Sequence, residues 1–157
     1  MSAILIIPYP RRNQDGSKNA KLYPWWEKVI EELKRTYNLI QLGEKGEKEL
    51  VEDVRFNYTK QQHTELLKNS LTFVSVDTWY PHFARKIRPG VVIWGKSNPD
   101  IYGYPEHFNI FKDRKYFRKE QFKTWTTEKY EEHVFIEPEI VVQSVETCVK
   151  FLTQAGA

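Results

Sequence analysis

The sequence predicts a three-layer α/β domain with a mostly parallel sheet of about six strands. Three observations predict it. The opening run Ala3-Ile4-Leu5-Ile6-Ile7 is apolar on both faces, as a central strand covered by helices on each side must be. Strand-like and helix-like patterns then alternate as far as Gly95, the order of an open sheet with helices on both faces. Finally, 157 residues fit one compact unit, 1–157, with little room for a second.

The first strand ends at Pro8. A polar loop follows over 9–22, carrying Pro10, Asn13, Asp15, Gly16 and Asn19; it is longer than an ordinary connection and so a candidate for function. From Tyr23 the period changes. Trp26, Val29, Ile30, Leu33 and Tyr37 recur every three or four residues with charged residues between them, an amphipathic helix that tolerates Pro24 in its first turn. Leu39-Ile40-Gln41-Leu42 makes a short strand stopped by Gly43, residues 47–51 a short helix, and Val54-Arg55-Phe56-Asn57-Tyr58 a further strand. Thr59 caps a helix over 60–69, and 71–76 is the next strand. Asp77-Thr78-Trp79-Tyr80-Pro81 interrupts the chain before a helix around 82–87, and Pro89-Gly90 turns it into the buried strand Val91-Val92-Ile93-Trp94. A turn-rich, aromatic region at 96–105 leads to a basic, aromatic stretch over 108–135 whose elements the pattern does not assign. Pro138, Ile140, Val141, Val145, Val149 and Leu152 close the chain on one helical face.

Composition excludes several classes. Apolar residues at 40% and aromatics at 15% supply a core and argue against disorder. With 24 Lys+Arg against 21 Asp+Glu the net charge is only +3, whereas a DNA-coating protein is far more basic. One cysteine, Cys148, leaves no intramolecular disulfide and no multi-cysteine zinc site. No apolar run approaches the ~20 residues of a membrane span, and the apolar start lacks the length and basic flank of a signal peptide. A cytoplasmic location is expected, with no metal and no cofactor.

In an open α/β sheet, ligands bind beyond the carboxyl ends of the strands, where helix N-termini direct free N–H groups. Three features fall at such ends. Lys18 and Lys21 precede the helix opened by Pro24. A lysine there adds a full charge to the partial charge of the helix start and suits a phosphate; the alternative is a solvated side chain. Leu42-Gly43-Glu44 places an acidic residue after a strand, able to accept hydrogen bonds from ribose hydroxyls, or simply a carboxylate in a turn. Asp77-Thr78-Trp79-Tyr80-Pro81-His82 brings a hydroxyl, backbone N–H groups and a helix start to one point. His82 either donates to a phosphate or sugar oxygen or satisfies a backbone carbonyl, while His63, His107 and His133 read as structural.

In this order on alternating elements, the features resemble the carboxy-terminal half of glycosyltransferase family 9, the heptosyltransferases, over most of the chain. Lys21-Leu22-Tyr23-Pro24 stands where the family has Lys-x-Trp-Pro, and Leu42-Gly43-Glu44 where it has a strand ending in Gly and an acidic residue. The family's Asp-Ser/Thr-Gly-x-x-His-x-x-Ala is similar to Asp77-Thr78-Trp79-Tyr80-Pro81-His82-Phe83-Ala84. Its apolar strand with Phe/Tyr-Gly-x-Thr/Ser-x-Pro is similar to Val91-Val92-Ile93-Trp94-Gly95-Lys96-Ser97-Asn98-Pro99, with Tyr102-Gly103 after. Ile136-Glu137-Pro138-Glu139-Ile140-Val141 matches its Ile-x-Pro-Glu-x-Val helix.

The resemblance implies a Rossmann-like, nucleotide-sugar-binding half of a GT-B fold. By it, Lys21 contacts a donor phosphate and Glu44 the ribose, Asp77, Thr78 and the backbone at Trp79 face the diphosphate and sugar, and His82 supports that loop. Loss of a nucleoside diphosphate develops negative charge that a lysine and a helix N-terminus stabilise without a metal. Two departures accompany it. The family's amino-terminal domain, with its acceptor site and base, has no counterpart here, so no catalytic residue is assigned and transfer requires a partner chain or self-association. Trp79 replaces the family glycine, and an indole there would narrow or cover the pocket.

Lys112, Arg114, Lys115, Arg118, Lys119 and Lys123 alternate with Tyr116, Phe117, Phe122 and Trp125, opposed by Asp113 and Glu120. Cations for phosphates and aromatics for bases make a nucleic-acid-binding composition. The favoured reading is an amphipathic surface segment whose aromatics pack on the sheet; docking of a missing domain or second copy is a third. The ranking is therefore a glycosyltransferase-like binder of a nucleoside-diphosphate sugar, then a non-catalytic binder of a nucleotide or phosphorylated ligand. A nucleic-acid-binding protein comes last.

Overall fold

The run Ala3–Ile7, buried at every residue, forms strand β1. It lies between β2 (Asn38–Gly43) and β4 (Thr72–Val76), with Ile4 paired to Leu39 on one side and Ile6 to Val74 on the other. The remaining strands are β3 (Asp53–Phe56), β5 (Val91–Ile93) and β6 (Phe108–Ile110). All six are parallel, in the order β3-β2-β1-β4-β5-β6. This is a computed structural model, and it describes residues 3–13 and 15–156; Met1, Ser2, Gln14 in the polar loop and Ala157 lie outside the described residues.

Alternation along the strands divides the core into two layers. Ile4, Ile6, Val74, Val76 and Ile93 pack with Val29 and Leu33 of helix α1 (Trp26–Leu33) and with Val141, Val145 and Cys148 of α5 (Pro138–Ala155). Leu5, Ile7, Ile40, Leu42 and Phe73 face the other way, onto Leu67 of α2 (Lys60–Lys68) and Tyr80 and Ala84 of α3 (Trp79–Ala84). A single turn, α4 (Pro99–Tyr102), follows β5. The described helices hold no membrane-spanning segment.

Several boundaries differ from the sequence expectation, each for a local reason. Residues 47–51 are not helical. The Gln41 amide, buried in β2, accepts from the Leu50 N–H at 2.7 Å and donates to the Lys48 carbonyl at 2.9 Å, which holds the segment extended. Glu47 turns back to accept from the Glu44 N–H at 2.7 Å, over a Gly43 whose missing Cβ leaves room for its carboxylate. Helix α1 begins at Trp26, so Pro24 lies in the preceding turn rather than the first helical one, and residues 34–37 continue as turns after Leu33. Helix α3 occupies 79–84 rather than 82–87. Thr78 caps it by accepting from the Tyr80 N–H at 3.2 Å, and Pro81 falls where a first-turn N–H has no helical partner anyway. The sheet is wholly rather than mostly parallel, and its sixth strand comes from the unassigned stretch.

Candidate ligand site at the carboxyl ends of the strands

The chain builds the sheet from β1 outward to β3, then returns to the other side of β1 to add β4. The loops after β1 and β4 therefore diverge, and the crevice between them is where open α/β sheets place their ligands. Lys21 comes from the first of these loops and Asp77 from the second. Lys21 Nζ lies 2.9 Å from Asp77 Oδ2. The Lys21 side chain is 24% exposed and that of Asp77 only 9%. The contact has ion-pair distance without hydrogen-bond alignment, so the buried Oδ2 has no hydrogen-bond donor among the described residues. Thr78 beside it bonds through Oγ1 to Ser75 Oγ at 3.3 Å.

The other candidate residues spread outward. Glu44 is exposed at the end of β2, with its N–H held by Glu47. Trp79 is 55% exposed and its ring packs on His63, Tyr80 and Phe83. It thus walls an open hollow of ≈ 540 Å³ between α2 and α3 with Tyr58, Lys60, His63, His82 and Phe83, and Lys21 is not among its ring contacts. His82 turns to the 103–107 loop, with Nδ1 2.7 Å from Tyr104 Oη. Lys18 lies over the Tyr130 ring at 5.0 Å. Of the six candidates, the fold brings Lys21, Asp77 and Thr78 together; Glu44, Trp79 and His82 stand apart from them. Burial lowers the pKa of His63 and of His107; both ring nitrogens of His107 are engaged, whereas His63 Nδ1 has no hydrogen-bond partner among the described residues.

Sequence reasoning missed the residues that roof the crevice. The segment after β6 crosses back over the strand ends to α5, with 3-10 turns at Arg114–Tyr116 and Glu132–Val134. It is pinned by Gln121, which donates to the Lys96 carbonyl at 2.9 Å and accepts from the Asn98 N–H at 3.0 Å. The Trp125 ring lies 5.0 Å from Lys21 Nζ and 3.5 Å from the Arg118 guanidinium carbon. Lys96, buried, donates to Glu128 at 3.0 Å, to Glu131 at 2.7 Å and to the Lys129 carbonyl at 2.7 Å. Burial works against the Lys96 charge, but the two carboxylates hold its pKa above the ordinary lysine value. Burial likewise opposes ionisation of Glu128, and Arg118 and Lys96 override it, holding its pKa below the usual carboxylate value. The signal was present twice, in Lys96 of the Gly-x-Ser-x-Pro run and in the cation–aromatic interleaving around Arg118.

These cations make the crevice suited to an anion with several oxygens. Among the described residues no cluster of His, Cys, Asp and Glu could hold a metal ion.

No protein-family model matches the chain, and no curated protein does. Solved structures do. A glycosyl transferase family 9 protein from Veillonella parvula superposes with a TM-score of 0.66 at 15% identity, over 96% of this chain and 47% of that one. TibC, an iron-containing dodecameric glycosyltransferase from enterotoxigenic E. coli, gives 0.63 at 17% identity, over 98% and 46%. The fold is similar to that of about half of each of these glycosyltransferase chains. At these identities the likeness is one of fold, and the chain spans about half the length of the structures it matches.

Proposed function

We propose that the chain is the nucleotide-sugar-binding half of a glycosyltransferase-like protein. The observation that carries the reading is the meeting of Lys21 and Asp77 at the topological switch point of a family 9 fold. In this reading the Lys21 ammonium leaves Asp77 to meet the diphosphate of a nucleoside-diphosphate sugar. Thr78 and the backbone after it line the sugar side, and Glu44 reaches the ribose. As the glycosidic bond to the phosphate breaks, negative charge grows on the departing diphosphate, and a fixed cation is worth most at that moment. The Lys21–Asp77 pair keeps that cation in place before the ligand arrives.

Transfer also requires a group to take the acceptor's proton. Asp77 is engaged with Lys21 and faces the donor, so the acceptor side is proposed to come from a partner domain or from self-association. The described residues contain no membrane-spanning helix, and the proposed setting is the cytoplasm.

Calorimetry with ADP, GDP, UDP and CDP and their sugar conjugates tests the reading. One nucleotide class is expected to bind, and Lys21→Ala to weaken it at least tenfold, about 1.4 kcal/mol or more. Asp77→Asn is expected to reduce affinity for the sugar conjugate more than for the bare diphosphate. Failure of every nucleotide to bind overturns the reading, and sugar transfer by the chain alone overturns the need for a partner.

A further inference from the structure

We propose that Arg118 and Lys96 form a second wall of the same anion site, and that the Glu128 carboxylate occupies the phosphate position until an anion displaces it. The inference rests on the reading of the crevice as an anion site.

Arg118 and Lys96 share one carboxylate. Glu128 receives Arg118 Nη1 at 3.0 Å on Oε2 and Lys96 Nζ at 3.0 Å on Oε1. Two cations converging on the two oxygens of one planar anion is also how a phosphate is gripped. Arg118 connects this pair to the switch point, because its guanidinium and the Lys21 ammonium rest on the same Trp125 indole. The three cations come from the loops after β1 and β5 and from the crossing segment, and Trp125 touches two of them.

The arrangement leaves groups unused that a purely structural clasp would close. Arg118 spends Nη1 on Glu128 and the Thr124 carbonyl and Nη2 on the Lys123 carbonyl. Its Nε is out of solvent and has no partner among the described residues. Among the described residues, Ser97 Oγ, next to Lys96 in a residue only 2% exposed, also has no partner, and neither has Asn13 Oδ1 in the loop after β1. Buried polar atoms are nearly always satisfied in a native protein, and several lacking partners in the loops at one end of a sheet mark a place where a polar ligand completes the set.

Charge and exposure indicate which member leaves. Lys21, Lys96 and Arg118 are balanced by Asp77, Glu128 and Glu131. The Glu128 side chain is 23% exposed, against 8% for Lys96 and 11% for Arg118. The carboxylate can swing to water, while the cations are held by the fold. A diphosphate would then take its place between Arg118 Nη1 and Lys96 Nζ. No covalent step is involved.

Calorimetry with inorganic pyrophosphate and with UDP, on wild type, Glu128→Gln, Arg118→Gln, Arg118→Lys and Lys21→Ala, tests the proposal, with circular dichroism as a check on folding. Glu128→Gln is expected to bind pyrophosphate several-fold more tightly than wild type, because the competing charge is gone. Arg118→Gln is expected to bind at least tenfold more weakly, with Arg118→Lys between them. Pyrophosphate is expected to change the tryptophan fluorescence of wild type and not of Trp125→Phe. Where Arg118→Gln does not fold, Glu128→Gln carries the test, since a merely structural Glu128 would lower thermal stability and leave affinity unchanged. Binding that needs Lys21 but ignores Glu128 and Arg118 overturns this inference and leaves the proposed function standing. Binding that needs Arg118 but not Lys21 upholds it and overturns the role given to Lys21. No binding by wild type overturns both.

Discussion

His107 shows how a buried residue reports its state through pH. Its Nε2 lies 2.8 Å from the Pro81 carbonyl and its Nδ1 accepts from the Gly90 N–H at 3.3 Å, so the neutral ring with its proton on Nε2 satisfies both contacts. Burial pushes its pKa below the ordinary histidine value, and burial does the same to His63. As pH falls through that ordinary value the unfolded chain takes up protons first. Stability is therefore complete above about pH 6.5 and is lost as the pH falls from there toward the lowered folded values. Urea midpoints measured from neutral to mildly acidic pH should fall in wild type, less steeply in His107→Gln and least in His107→Gln combined with His63→Gln. A flat wild-type profile would contradict the neutral assignment. At this scale the structural reading of His107 agrees with its two ring contacts; a lone histidine among apolar neighbours is ordinarily structural. The sequence predicted the Trp79 indole to narrow or cover the ligand pocket, and nothing local says that the ring instead packs on His63 of α2.

Elements were legible where a local signal sets them. Thr59 accepts from the Gln62 N–H at 3.2 Å while Gln62 returns a bond to the Thr59 N–H at 2.8 Å, a complete capping box at the start of α2. Thr59→Ala should cost about 1 kcal/mol in chemical denaturation. Gly95 is needed for a different reason. A Cβ there would lie 2.6 Å from the Phe135 ring, which is fully buried. Gly95→Ala should cost roughly 1–3 kcal/mol, and Phe135→Leu in the same chain should recover part of it. The failure at 47–51 has the same physical root. Helical spacing was present, but the Gln41 amide in the neighbouring strand offers the backbone at 48 and 50 stronger partners, and a side chain bonded from another strand leaves no trace in local periodicity.

Across the molecule, four of the six cations of the basic segment are spent in internal ion pairs. Arg114 pairs with Asp100 at 2.8 Å, Arg118 with Glu128, Lys112 with Glu137 at 3.6 Å, and Lys123 with Glu120. Pairing weakens the long-range field that would draw an extended polyanion to this segment, whereas a short anion at the Glu128 position would be met by direct contacts, so fluorescence anisotropy with single-stranded RNA and duplex DNA should show no binding at physiological salt. Salt-sensitive binding abolished by charge reversal at Lys119 and Lys123 would restore the nucleic-acid reading. The amino-acid sequence by itself determined the α/β class, the central place of Ala3–Ile7, and most strands and helices, because burial on one or both faces writes a periodic pattern into adjacent residues. Only the tertiary structure decided that Lys21 meets Asp77, that Trp125 lies over Lys21, and that Glu128 sits between Lys96 and Arg118. Apart from Arg118–Glu128, those contacts join loops far apart in the chain, brought together by the order in which strands are added to the sheet, and an ion pair across separate loops has no period to read.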